Sequence, residues 1–215
     1  MNKKLRLASA GVMLSTLAIS GVAFAGASGN VGMSSDYLWR GMTQTNHQSA
    51  VSGGLDYGHD VGVYMGTWAS NVSWTGTDAE IDLYGGYSKE FGPVGIDVGA
   101  IYYMYPHVDF DSNSFYEVYG SFSAMGASVS VYYNIDASDT YVSGGYDHEV
   151  AKGVTISLAG GWSKESGNAH YGLSLTKGTD AGDFSVLVSD TTDTATGSLD
   201  KNPTMVVSYT KGFDL

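Results

Sequence analysis

The chain contains no cysteine and only three prolines in 215 residues. It therefore has no disulfide staples, no thiol nucleophile and no cysteine to carry a lipid anchor. Its stability must come from burial or from a closed backbone network. Charged residues make up only 15%. Past residue 25, no segment approaches the roughly 18 unbroken apolar residues of a transmembrane helix. Entry into a membrane then requires a closed barrel, because in lipid only helices and barrels satisfy every backbone group. Arginine is nearly absent: beyond residue 25 it occurs once, as Arg40.

Residues 1–25 read as an export signal and are set aside from the fold. Lys3, Lys4 and Arg6 form a positive start, residues 7–22 are mostly apolar or small, and Ala23-Phe24-Ala25 has a small-x-small cleavage pattern. Residues 26–215 fit one domain. Ten basic residues less those three leave seven against 22 acidic ones, a formal charge near −15. That balance argues against nucleic acid as a partner.

What is abundant is 30 Gly, 16 Tyr and 4 Trp. This mixture favours strands and suits membrane barrels, whose aromatic residues form interfacial girdles. Alternation with a period of two recurs along the chain. Ile96, Val98 and Ala100 alternate with Asp97, Gly99 and Ile101, and Tyr171, Leu173 and Leu175 with His170, Gly172 and Ser174. The pattern predicts an all-β fold, an antiparallel transmembrane β-barrel of about twelve strands. They fall near 30–40, 49–58, 61–71, 79–88, 93–105, 115–124, 127–134, 140–148, 153–163, 168–176, 183–190 and 204–213. Connections of two kinds alternate: tight ones at 58–60, 89–92, 124–126, 148–152 and 177–182, and more polar ones at 41–48, 71–78, 106–114 and 191–202. Met205, Val207, Tyr209, Phe213 and Leu215 share one face of the last strand. That strand resembles the assembly signal of outer-membrane barrels, which makes the barrel-assembly machinery and outer-membrane lipid the expected partners.

The segment Ser35-Asp36-Tyr37-Leu38-Trp39-Arg40-Gly41-Met42-Thr43-Gln44-Thr45 resembles the opening of the TorF family, bacterial outer-membrane proteins named as porins. So do Gly54-Leu55-Asp56-Tyr57, Gly66-Thr67-Trp68-Ala69-Ser70-Asn71-Val72, Glu80 to Tyr87 and Asp97 to Pro106. The motifs lie in family order across the first half of the exported chain. The resemblance implies a Gram-negative outer-membrane channel and supplies no catalytic residues.

Asp36, Arg40, Glu80, Asp82, Asp97 and Glu117 fall on faces opposite apolar or aromatic residues and are the candidate lumen-lining set. Counting along a strand over 30–40 puts Tyr37 and Trp39 toward lipid and Arg40 toward the lumen, paired with one or more of Glu80, Asp82 and Glu117. Two readings of that set stand side by side: an acidic pore with one basic counter-charge, or a buried ion pair in a filled interior. Asp109-Phe110-Asp111-Ser112-Asn113 has calcium-loop spacing but lacks the glycine and distal glutamate, so a solvated loop is expected. His47, His59, His107 and His148 sit in predicted turns. His170 lies in a strand without catalytic spacing around it, so neither enzyme activity nor a cofactor is expected. The Tyr and Trp clusters are assigned to membrane girdles or core packing.

The function expected from these residues is an outer-membrane porin for diffusion of small solutes, weakly cation-preferring. The alternatives are a filled barrel with a structural or adhesion role, and a soluble periplasmic glycan-binding β-sandwich.

Overall fold

The computed structural model describes residues 26–74, 76–106, 113–192 and 203–215. The export signal, His107, residues 109–112 of the acidic loop and residues 193–202 lie outside them. Twelve strands form one closed antiparallel barrel: β1 (Gly26–Ser34), β4 (Ala50–Gly58), β5 (Val63–Trp74), β6 (Thr77–Phe91), β7 (Val94–Met104), β8 (Phe115–Ala124), β9 (Ala127–Asn134), β10 (Asp139–Ala151), β11 (Val154–Ser163), β12 (Ala169–Thr179), β13 (Gly182–Thr191) and β14 (Thr204–Asp214). Two short strands, β2 (Leu38–Trp39) and β3 (Met42–Thr43), pair with each other in the connection from β1 to β4. Each barrel strand pairs with its neighbours, and β1 closes the ring against β14, with Ser28 opposite Asp214 and Ser34 opposite Ser208. A single closed sheet excludes the two-sheet sandwich.

Alternation sorts the faces. In β12, His170, Gly172, Ser174 and Thr176 are buried or half-buried in the interior, while Tyr171, Leu173 and Leu175 are exposed on the outside. The same parity places Val31, Leu55, Leu83, Val98, Val131, Leu158 and Val207 outward. A water-exposed surface of that kind would be unfavourable, whereas lipid accepts it. Exposed aromatics flank this apolar band: Tyr116, Tyr133 and Trp162 toward one end, Tyr57, Phe122, Phe184 and Phe213 toward the other.

The two ends differ. One carries the start of β1 and the end of β14, where the Leu215 N–H donates to the Ala27 carbonyl oxygen, and the turns at 59–62, 92–93, 125–126, 152–153 and 180–181. The other carries the connections 35–49, 135–138 and 164–168, together with the ends of β5, β7 and β13 and the starts of β6, β8 and β14. Two expected boundaries change. The polar stretch 71–78 is not an open loop: β5 and β6 run on until Trp74 pairs with Thr77. Its Asn71 instead ties down the neighbouring strand start, accepting from Val51 N–H and donating to the Ser49 carbonyl. The first strand ends at Ser34; Ser35 still donates its N–H to the Val207 carbonyl of β14, and residues 36–40 leave the wall.

The abundance of Gly and Tyr has a packing reason. Inward tyrosines lie over inward glycines of adjacent strands. A Cβ on Gly66 would come within 2.6 Å of the Tyr84 ring, and one on Gly99 within 2.6 Å of the Tyr119 hydroxyl. Gly86 and Gly161 stand in the same relation to Tyr64 and Tyr141. The rings cover backbone that no side chain shields.

Candidate functional site

The connection 35–49 folds back into the barrel. Its core is Leu38-Trp39-Arg40-Gly41-Met42-Thr43, with Trp39 opposite Met42. The two central residues both have positive φ, 51° at Arg40 and 82° at Gly41. That is the type I′ hairpin turn, whose twist matches a two-residue loop. Glycine adopts it freely, whereas a left-handed arginine costs about 1–2 kcal/mol. The surrounding contacts must offset that strain.

The foot of the hairpin is organised by Asp36. Its carboxylate accepts from the Thr43 hydroxyl at 2.6 Å and the Thr45 hydroxyl at 2.8 Å, and meets His47 Nδ1 at 2.7 Å. The Tyr37 N–H donates to Thr45 Oγ1. From this foot the hairpin crosses the interior. The Tyr37 hydroxyl donates to Glu80 on β6 at 2.7 Å, and its ring packs edge-on against Trp68 of β5 at 5.4 Å. Burial, with the Glu80 and Asp82 carboxylates nearby, pushes the Tyr37 phenol well above its ordinary pKa, so it acts as a donor. Trp39 meets Tyr103 and Phe115 edge-on. Leu38 packs with Leu187 and Val206 on β13 and β14. Gly41 abuts His170 of β12 so closely that a Cβ there would collide with the histidine side chain.

Arg40 lies at the centre. One guanidinium nitrogen donates to both carboxylate oxygens of Glu117, at 2.8 and 2.7 Å. The guanidinium carbon sits 4.0 Å from the Tyr141 ring centroid, 4.2 Å from that of Trp39 and 5.5 Å from that of Tyr132. Glu117 is completely buried, and Tyr103 also donates to it. The charge-assisted bond and aromatic faces act in a site shielded from water, where both are strongest.

The six candidate residues fall into two levels. Asp36, Arg40, Glu80, Asp82 and Glu117 gather around the hairpin, and four of them are under 5% exposed (Asp36, Glu80, Asp82 and Glu117). Asp82 lies in electrostatic reach of both Glu80 and Glu117, and its buried Oδ1 has no hydrogen-bond partner among the described residues. Asp97 lies nearer the tight-turn end and is half-buried. It accepts from Tyr64 at 2.7 Å, and the Tyr64 hydroxyl also contacts that of Tyr119. Tyr84 donates similarly to Asp56. Among the described residues, no three His, Asp or Glu side chains converge as a metal site.

Two expectations are corrected here. Tyr37 and Trp39 do not face lipid, because the strand they were counted on ends before them; both point into the interior. Arg40 is not a strand residue but the first central residue of an internal turn. The core-packing assignment holds for Tyr64, Tyr103, Tyr119, Tyr132 and Tyr141, which cluster in the interior; it did not include the bonds that Tyr64 and Tyr103 make to the carboxylates of Asp97 and Glu117. A signal was available, since Tyr103 shares strand parity with Asp97, and Tyr119 with Glu117. His170 also belongs to this interior, with Nε2 against the Tyr141 hydroxyl.

The barrel is similar to the KdgM porin (TM-score 0.62, 13% identity, 87% of this chain and 99% of that chain). A KdgM porin in complex with disordered oligogalacturonate superposes with a TM-score of 0.59 at 12% identity, covering 88% and 98% of the two chains. The NanC porin matches with a TM-score of 0.54 at 9% identity, covering 88% and 100%. At these identities the likeness concerns the fold. No curated protein matches the chain in sequence. A family model matches residues 18–197. By that match the chain belongs to the family described as bacterial protein of unknown function (Gcw_chp).

Proposed function

We propose that this protein is an outer-membrane porin that passes small solutes by diffusion, with the 35–49 hairpin as its constriction. The observation that carries the reading is the sorting of a closed barrel into an apolar outer face and a polar inner face, crossed by a side-chain-anchored hairpin. In this reading residues 1–25 are removed on export and the barrel-assembly machinery inserts residues 26–215. The tight-turn end faces the periplasm and the longer connections face outward, as in bacterial barrels. The TorF resemblance points to the same function.

Selectivity follows from charge. Asp36, Glu80, Asp82, Asp97 and Glu117 line the interior with Arg40 as the counter-charge at the constriction. An excess of negative charge raises local cation concentration. The KdgM complex holds oligogalacturonate, a polyanion, whereas this interior is suited to neutral or cationic solutes. Planar-bilayer conductance of refolded residues 26–215, with reversal potentials in a salt gradient, tests both statements. The expected result is discrete channels with cation preference. Anion selectivity would remove the charge argument.

A specific observation favours a second reading. Glu117 and Thr45 are wholly inaccessible to water in this conformation, as a filled interior at the level of the hairpin would require. A permanently filled barrel with a structural or adhesion role would fold and yet show no conductance.

A further inference from the structure

Three features of the interior remain unused by a simple diffusion pore. The hairpin places its one arginine in a left-handed conformation that glycine or asparagine would adopt at lower cost. The guanidinium is received by groups of the barrel wall: the Glu117 carboxylate on β8 and the faces of Tyr132 on β9 and Tyr141 on β10. Close by, Asp82 presents a buried carboxylate oxygen with no hydrogen-bond partner among the described residues, in electrostatic reach of Glu80 and Glu117. A carboxylate that accepts two hydrogen bonds beneath aromatic faces is a receptor for a flat or compact organic cation.

We infer that the Glu117–Tyr132–Tyr141 pocket is a binding site for solutes bearing a guanidinium or primary ammonium group, and that Arg40 is its tethered, competing occupant. This inference rests on the channel reading above and names the solute class of that channel. A permeating cation displaces the Arg40 side chain from Glu117, and the hairpin loses the contact that holds it across the lumen. Among the described residues, Arg40 is the cation that an anionic solute would meet at this level.

The test uses refolded residues 26–215 in detergent, with methylguanidinium as probe and calorimetric titration as readout. Arg40→Asn vacates the pocket while keeping a residue that tolerates positive φ. Methylguanidinium is expected to bind Arg40→Asn at least about tenfold more tightly than the unmodified protein, in which the tethered group competes. Adding Glu117→Gln to Arg40→Asn is expected to lower that affinity at least about tenfold, because the charge-assisted bonds are lost. Absence of binding to folded Arg40→Asn, or equal binding with and without Glu117→Gln, overturns the inference. Should Arg40→Asn fail to fold, Arg40→Gly adopts the positive φ at no steric cost and also vacates the pocket, and the same comparison with and without Glu117→Gln decides. Conductance is recorded separately. Binding without conductance refutes the channel and with it the transported-solute assignment, leaving only a cation site. Conductance without binding refutes the site and leaves the channel.

Discussion

Removing the Arg40 side chain should destabilise the barrel, and removing the Glu117 charge as well should restore part of the loss. In the native protein Glu117 has no solvent contact, so its charge depends on the guanidinium at 2.7 Å and the Tyr103 hydroxyl at 3.2 Å. Arg40→Ala leaves that carboxylate buried and unpaired, a change that costs about 3–5 kcal/mol in comparable pairs. The left-handed backbone cost is shared by alanine and arginine, so it cancels. Glu117→Gln added to Arg40→Ala discharges the stranded group, and the new amide oxygen still accepts from Tyr103. The double variant should therefore be more stable than Arg40→Ala alone by about 1–3 kcal/mol. Glu117→Gln alone should destabilise, because the guanidinium then lacks its counter-charge. The assay is urea titration of folding into lipid vesicles, followed by tryptophan fluorescence and by heat-modifiable gel mobility. A double variant as unstable as the sum of its two single variants would show that the pair is not a coupled buried unit, and the reasoning about the hairpin anchor would fail.

Val98→Arg, on the exposed outer face, should cost about 2–4 kcal/mol if near the bilayer midplane; an unchanged urea midpoint would contradict a lipid contact there. Gly99→Ser on the inner face should also destabilise, since a Cβ would lie 2.7 Å from the Gly85 carbonyl oxygen, so tolerance of that change would put the register in error. Gly41→Ala should destabilise more than Gly92→Ala, because both have positive φ but only Gly41 abuts another side chain; equal urea midpoints would mean the hairpin tip does not touch His170. Single cysteines at Ala137 and Ser166 should label on intact cells with an impermeant maleimide, and cysteines at Met125 and Ala151 should not; the reverse pattern inverts the proposed orientation.

Sequence by itself determined the sheet and its two faces. A period of two is a local property, so Asp97 and Gly99 opposite Ile96 and Val98 fixed one wall without any knowledge of its neighbours. The same parity put Glu80, Asp82 and Glu117 on the face away from the apolar residues, and the alternating connections set the strand count and the common end of the termini. What parity could not fix was where a strand stops. Ser34 and Asp36 continue the pattern of β1 in sequence, yet the chain leaves the wall after Ser35 because residues 36–45 find better partners inside: Thr43, Thr45 and His47 for Asp36, Glu80 for Tyr37, Glu117 for Arg40. Those partners lie up to 77 residues away, and only barrel closure brings them within reach. The choice between Glu80, Asp82 and Glu117 as the mate of Arg40, and the tyrosine faces around its guanidinium, were likewise settled by tertiary structure. They depend on how far the hairpin projects across the lumen, a distance that no local pattern encodes.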